Sequence, residues 1–180
     1  MKVIGLCGYS ATGKTTVAEL LRDRIAGSTI VSSSSAVREM LREKGFELNA
    51  DNMMAMHDQL LKEYGSNYAQ LFIARMRSST GPILFDSFRR AVDVEYVKGR
   101  AQSLTLLWIQ CDTHQALSRT QLRARFDGEV ANFGKVRARE KSHGVEELKG
   151  LCEVAVDNSG SINVLDQQLS DFVATYGSRP

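Results

Sequence analysis

The sequence predicts a three-layer α/β/α domain built on a five-stranded parallel sheet, and three observations carry that expectation. Short runs that are apolar throughout alternate with longer amphipathic ones, as happens when strands are buried on both faces and helices cover them. The first apolar run ends in a glycine-rich turn that opens directly into a helical stretch. The length of 180 residues, with 43% apolar and 24% charged residues and 2 prolines, suits one globular domain. A chain of this size buries roughly 70% of the surface its unfolded form exposes and needs no disulfide or metal staple.

Taken in order, residues 3–7 (Val-Ile-Gly-Leu-Cys) form the first strand. A helix follows over 14–26, with Val17, Leu20, Leu21 and Ile25 on one stripe. Residues 29–32 give a shorter second strand, and 36–44 a helix that Gly45 ends as a C-terminal cap. Two further helical patterns occupy 51–64 and 66–77. Pro82 opens the third strand, 83–85, which stops at Asp86. A helix over 91–100 leads to the longest strand, 104–109, where Trp108 is a structural residue. A helix over 114–125, a polar loop and a charged helix over 135–150 come next. The last strand is 154–156 and the closing helix 162–176. With no repeat, no interdomain linker and no low-complexity segment beyond 32–35, residues 1–180 read as one domain carrying helical insertions.

Lysine and arginine total 23 against 21 acidic residues, a net charge of +2, which argues against a polynucleotide or membrane-surface partner. Arginine outnumbers lysine 15 to 8, and guanidinium forks suit carboxylates and phosphates. Cys7, Cys111 and Cys152 are far apart and odd in number, which points to reduced, buried thiols rather than a disulfide or metal site. No signal sequence is evident, and no run approaches the ~20 apolar residues that span a bilayer, so a cytoplasmic protein is expected, as a monomer or homodimer.

The sharpest motif is Gly8-Tyr9-Ser10-Ala11-Thr12-Gly13-Lys14-Thr15, which fits G-x-x-x-x-G-K-[ST] in full at a strand-to-helix turn. Gly8 and Gly13 let the backbone wrap a phosphate with no Cβ in the way. Successive N–H groups from Ser10 to Thr16, together with the helix N-terminus, present positive potential to the anion. Lys14 reaches the β- and γ-phosphates, and the Thr15 hydroxyl ligates Mg²⁺. This is a P-loop, and ATP with Mg²⁺ is the expected ligand. Asp86, at the end of a strand beside the P-loop strand, is placed to serve the metal.

Asp86-Ser87-Phe88-Arg89-Arg90 resembles the Asp-Gly-Phe-Pro-Arg signature of adenylate kinases and their relatives. That resemblance implies a metal role for Asp86 and an acceptor-phosphate role for Arg89 or Arg90. Residues 32–38 are similar to the family's Ser-Thr-Gly-Asp-x-x-Arg stretch, which implies that Arg38 holds the acceptor phosphate and Ser33 makes a polar contact; Ser34 and Ser35 depart from the pattern. A closer resemblance, over nearly the whole chain, is to short P-loop proteins related to adenylate kinase and dephospho-CoA kinase. It rests on Glu63-Tyr64-Gly65, on the Asp86 segment, on Arg137-Ala138-Arg139-Glu140, and on residues 153–158 before and at Asn158. Ser87 replaces a glycine and Ala138 an acid of that pattern. The resemblance implies a P-loop NTPase fold with strand order 2-3-1-4-5, acceptor-binding helices over about 33–80 and a lid over about 119–141.

In that lid segment, Arg119 and Arg123 are i,i+4 neighbours on one helical face, Arg125 follows, and Arg137 and Arg139 come after the loop. Such cations stabilise the charge on a transferring phosphoryl group, so Lys14, Arg119, Arg123 and Arg137 are the candidate catalytic residues. Asn158 is a candidate neighbour of the adenine. The histidines His57, His114 and His143 show no metal spacing, and Met53, Met54 and Met56 form a core stripe. The expected activity moves the γ-phosphoryl group of ATP to a small nucleotide-like acceptor, foremost a nucleoside monophosphate, which needs no general base. Two alternatives stay open: a dephospho-CoA kinase-like enzyme, which would want a carboxylate base that residues 32–35 lack, and a nucleotide-binding regulator with little turnover.

Overall fold

The computed structural model describes residues 1–72, 80–123 and 128–177, with the side chains of Ser87 and Arg123 also outside that description. Five strands make one parallel sheet: β1 (Lys2–Cys7), β2 (Thr29–Ser32), β3 (Ile83–Phe88), β4 (Ser103–Gln110) and β5 (Val154–Asp157). Their order is β2-β3-β1-β4-β5, as expected, so the P-loop strand β1 is central and β3 lies beside it. Seven helices accompany them among the described residues: α1 (Lys14–Arg24), α2 (Ser33–Glu43), α3 (Ala50–Tyr64), α4 (Ala91–Lys98), α5 (Thr113–Arg123), α6 (Phe133–Ser142) and α7 (Ile162–Gly177).

Alternation along the strands divides the core between two faces. Ile4, Leu6, Leu84, Leu107 and Ile109 point to one side, where Val17 and Leu21 of α1 and Leu165 and Leu169 of α7 cover them. Val3, Cys7, Ile83, Phe85 and Trp108 point to the other, under α2, α3 and α4. The inner strands β1, β3 and β4 are thus buried on both faces, which is why they read as almost continuously apolar, while the edge strands β2 and β5 keep exposed residues. Caps fix where two helices begin: the Ser32 hydroxyl accepts from the Ser35 N–H, and the Asn49 side chain accepts from the Asn52 N–H at 2.8 Å.

Four details differ from the sequence reading. β3 runs on to Phe88, because pairing with β1 shifts register between Leu6–Asp86 and Cys7–Phe88 and so accommodates an extra residue. The charged segment 135–150 is two pieces, since Gly144 at φ +85° breaks it between α6 and a 3₁₀ segment, Val145–Leu151. The helix expected over 66–77 begins with a 3₁₀ turn, Gly65–Asn67, and its end lies outside the described residues. All three cysteines are free, yet only Cys7 is fully buried; Cys111 and Cys152 are half-buried.

Candidate functional site

The loop between β1 and α1 turns through three positive φ angles, at Gly8 (136°), Ala11 (65°) and Gly13 (92°). Gly13 is also held close to β5: its Cα faces the Asn158 amide, where a Cβ would collide. Asn158 donates from Nδ2 to the Thr12 carbonyl at 2.9 Å, so it braces the loop from the end of β5. The Thr12 hydroxyl donates to the Tyr9 carbonyl at 2.9 Å and closes the turn from within.

Lys14 is buried and donates from Nζ to the carbonyls of Gly8 (2.9 Å) and Tyr9 (2.7 Å). Burial holds its pKa below the ordinary value, against the opposing pull of Glu140 and Asp86. One residue on, the Thr15 hydroxyl donates to Asp86 Oδ2 at 2.8 Å. A hydroxyl and a buried carboxylate converging beside the loop are hard oxygen donors of the kind Mg²⁺ takes, so these residues fit the metal.

Across the loop stands Glu140 of α6, 3% exposed. It accepts from Ser10 N (2.7 Å) and Ser10 Oγ (2.5 Å), and from Arg89 Nη1 (2.6 Å). Burial alone would raise its pKa; Arg89, Lys14 and the two Ser10 bonds outweigh burial and hold it below the ordinary value. Arg137, one turn earlier, stacks on the Tyr9 ring at 4.5 Å, and Tyr9 donates its hydroxyl to Glu146 at 2.7 Å. Arg89 Nε and Arg137 Nη1 are buried with no hydrogen-bond partner among the described residues.

A cavity of about 330 Å³ opens from the loop toward α2 and α3. Its cationic side chains are Lys14, Arg38, Arg89 and Arg139, and its apolar wall includes Met53, Met54 and Phe133. Arg38 donates to Ser35 Oγ at 2.9 Å. Arg139 reaches across from α6 to α3, donating from Nε to Asp58 Oδ1 at 2.9 Å. His57 lines the same cavity, buried, with Nδ1 2.9 Å from the Tyr68 hydroxyl. Burial, then the neighbouring Arg89 and Arg139, push its pKa well below the ordinary value.

The sequence candidates therefore fall into groups. Ser10, Ala11, Gly13, Lys14, Thr15, Thr16, Asp86, Arg38 and Arg89 share the cavity. Arg90 turns away from it: it pairs with Asp93 (2.6 Å), donates to the Gly65 carbonyl (2.8 Å) and sits over the Tyr68 ring. Ser33, the first residue of α2, is wholly buried and does not line the cavity, while Ser32, Ser34 and Ser35 do. Arg119 packs on the loop after β5, donating from Nη1 to the Asn158 carbonyl at 2.8 Å. The Arg123 side chain and all of Arg125 lie outside the described residues. His57 is a site residue that no motif picks out. Arg139 and Glu140 stand in the Arg137-Ala138-Arg139-Glu140 resemblance, but nothing in the sequence assigns Glu140 to the loop, because a buried position on an otherwise charged helix is not displayed there.

Residues 4–140 match the family described as AAA domain. The chain belongs to that family. Among curated proteins, this AAA-domain chain is 29% identical over 169 residues to a UPF0200/UPF0201 protein of Archaeoglobus fulgidus, covering 89% of the chain and 51% of that relative. The chain thus spans about half of that relative's length. A UPF0200 protein of Methanoculleus marisnigri is 25% identical, with 99% of each chain covered. Among solved structures, a gluconokinase from Sinorhizobium meliloti aligns with a TM-score of 0.60 at 14% identity, covering 99% of this chain and 98% of that one. A shikimate kinase from Acinetobacter baumannii aligns with a TM-score of 0.58 at 14% identity, covering 99% and 96%. At such identities the likeness shows the fold: a P-loop kinase-like α/β domain. No helix among the described residues is long and apolar enough to cross a membrane.

Proposed function

We propose that this AAA-domain protein is a phosphotransferase that moves the γ-phosphoryl group of ATP to a small phosphorylated acceptor, foremost a nucleoside monophosphate. The observation that carries the reading is one cavity holding both halves of such a site. The loop, Lys14, Thr15 and Asp86 line it together with Arg38 and Arg89. Mg²⁺, held by Thr15 and Asp86, would screen the charge on the phosphates. Loop N–H groups and Lys14 bind the donor, and Arg38 and Arg89 orient an acceptor phosphate toward it. An oxygen of the acceptor phosphate bonds to the γ-phosphorus as the bond to the β-phosphate oxygen breaks, and ADP leaves. An acceptor phosphate is already ionised, so no side chain has to remove a proton. Lys14 and Arg89 stabilise the charge spread over the transferring group. Arg119 of α5, bonded to the loop after β5, and Asn158, bracing residue 12, fit support of the nucleotide-binding side.

A coupled ADP-release assay across the ribo- and deoxynucleoside monophosphates and dephospho-CoA tests the reading. At least one monophosphate is expected to raise turnover well above hydrolysis by water. If none does, the kinase reading falls.

A further inference from the structure

Glu140 takes from the phosphate loop the kinds of donor that a phosphate would take. Resting on the reading of residues 8–15 as a triphosphate site, we infer that Glu140 is a built-in competitor for the triphosphate: its carboxylate and a phosphoryl group contend for Ser10 and Arg89, and nucleotide binding releases α6 from the loop. The argument begins with valence. A backbone N–H carries one hydrogen, so the Ser10 N–H cannot serve Glu140 Oε2 at 2.7 Å and a phosphate oxygen at full strength together. The single Ser10 hydroxyl hydrogen is committed to Oε1 in the same way, and one of the two Arg89 Nη1 hydrogens is held by that oxygen as well.

The surroundings favour exchange. Arg89 Nε and Arg137 Nη1 are buried donors with no partner among the described residues, so one carboxylate leaves the cluster short of acceptors. A terminal phosphate offers three oxygens where a carboxylate offers two. A general-base role fits less well. Arg89, Lys14 and Ser10 keep Glu140 anionic below the ordinary carboxylate range, and both its oxygens are already engaged.

Release would not stay local. α6 also carries Arg137, stacked on Tyr9, and Arg139, bonded to Asp58 of α3. Detaching Glu140 loosens a helix that ties the donor loop to the acceptor-side helix α3. Occupancy of the donor site is thereby communicated to the acceptor side.

The test reads binding, which needs neither an acceptor nor turnover. Calorimetry would compare wild type, Glu140→Gln and Glu129→Gln for a non-hydrolysable ATP analogue with Mg²⁺. Glu129 lines the same cavity and controls for the simple loss of one negative charge. Glu140→Gln is expected to bind about tenfold tighter or more, and Glu129→Gln within about twofold of wild type. Equal or weaker binding by Glu140→Gln, or equal gains in both variants, overturns the inference. Should Glu140→Gln fail to fold, hydrogen–deuterium exchange on the wild type decides. Saturating analogue is expected to lower protection in α6 while raising it in the loop, and unchanged or greater protection of α6 overturns the inference. Tighter binding without any phosphoryl transfer would leave the competitor standing and remove only the kinase reading. No analogue binding by any of the three proteins would remove both.

Discussion

At Gly13 a methyl group would meet the Asn158 amide, and the backbone there holds φ at +92°, where a side chain is strained even in open space. Gly13→Ala is therefore expected to cost about 2 kcal/mol or more, read as a lowered midpoint in denaturant unfolding. Adding Asn158→Ala should recover part of that loss, because the two changes share one contact and will not add. An Asn158→Ala background that left the Gly13→Ala cost untouched would show that strain alone sets it. Lys14 makes a different demand. Its ammonium is bonded to the Gly8 and Tyr9 carbonyls, so it shapes the loop as well as charging it. Lys14→Ala should lower phosphoryl transfer by about 100-fold or more while a cooperative melt persists. Unchanged turnover in the coupled assay would show that the loop is not the donor site.

The arm from β3 into α4 carries two adjacent arginines with opposite duties. Arg89 faces the cavity and Glu140, whereas Arg90 is consumed by Asp93, the Gly65 carbonyl and the Tyr68 ring. Arg89→Ala should raise the acceptor KM about tenfold or more and, because it leaves buried Glu140 without its cation, also lower stability. Arg90→Ala should lower stability by about 3 kcal/mol with the acceptor KM nearly unchanged. Burial already raises the Asp93 pKa against the pull of Arg90, so the orphaned carboxyl can take up a proton, which caps that cost. Equal KM effects from the two variants would erase the distinction. Sequence could not have assigned these roles, because both arginines follow the same motif acid. β3 continues through an irregular register to Phe88, and a bulge of this kind re-aims the side chains that follow it. Gly144, by contrast, is visible in the sequence, although the charged stretch over 135–150 reads as one helix.

Over the whole molecule, what could be read from sequence follows the span of the interaction. The five strands and the phosphate loop depend on contiguous residues and local turn chemistry, so pattern displays them; the sheet order joins distant strands and comes from the resemblance alone. The bond from Ser10 to Glu140 joins positions 130 residues apart, and no periodicity announces it. The spacing of His57 suggests no metal site, yet folding places it in the cavity against Tyr68 and near Arg89, Arg139 and His143. That environment makes a prediction for the entire fold. The ordinary histidine value is 6.5, and burial, then these cations, lower it well below that in the folded protein. Above that value both states are neutral and the full stability is present. As pH falls below it, the unfolded chain binds a proton that the folded protein refuses, so stability declines. The slope contributed by one such group approaches about 1.4 kcal/mol per pH unit. His143 pulls the same way more weakly, since Asp58 partly offsets its burial and the field of Arg139. Glu140 does not interfere in this window. Its pKa lies below the ordinary 4.5, so its contribution is lost only under more acidic conditions. Denaturant unfolding between about pH 7 and about pH 5 should therefore show wild type losing stability steeply, and His57→Gln losing much less. Parallel curves for the two proteins would mean that the folded state accommodates the His57 proton after all, against the cations that surround it.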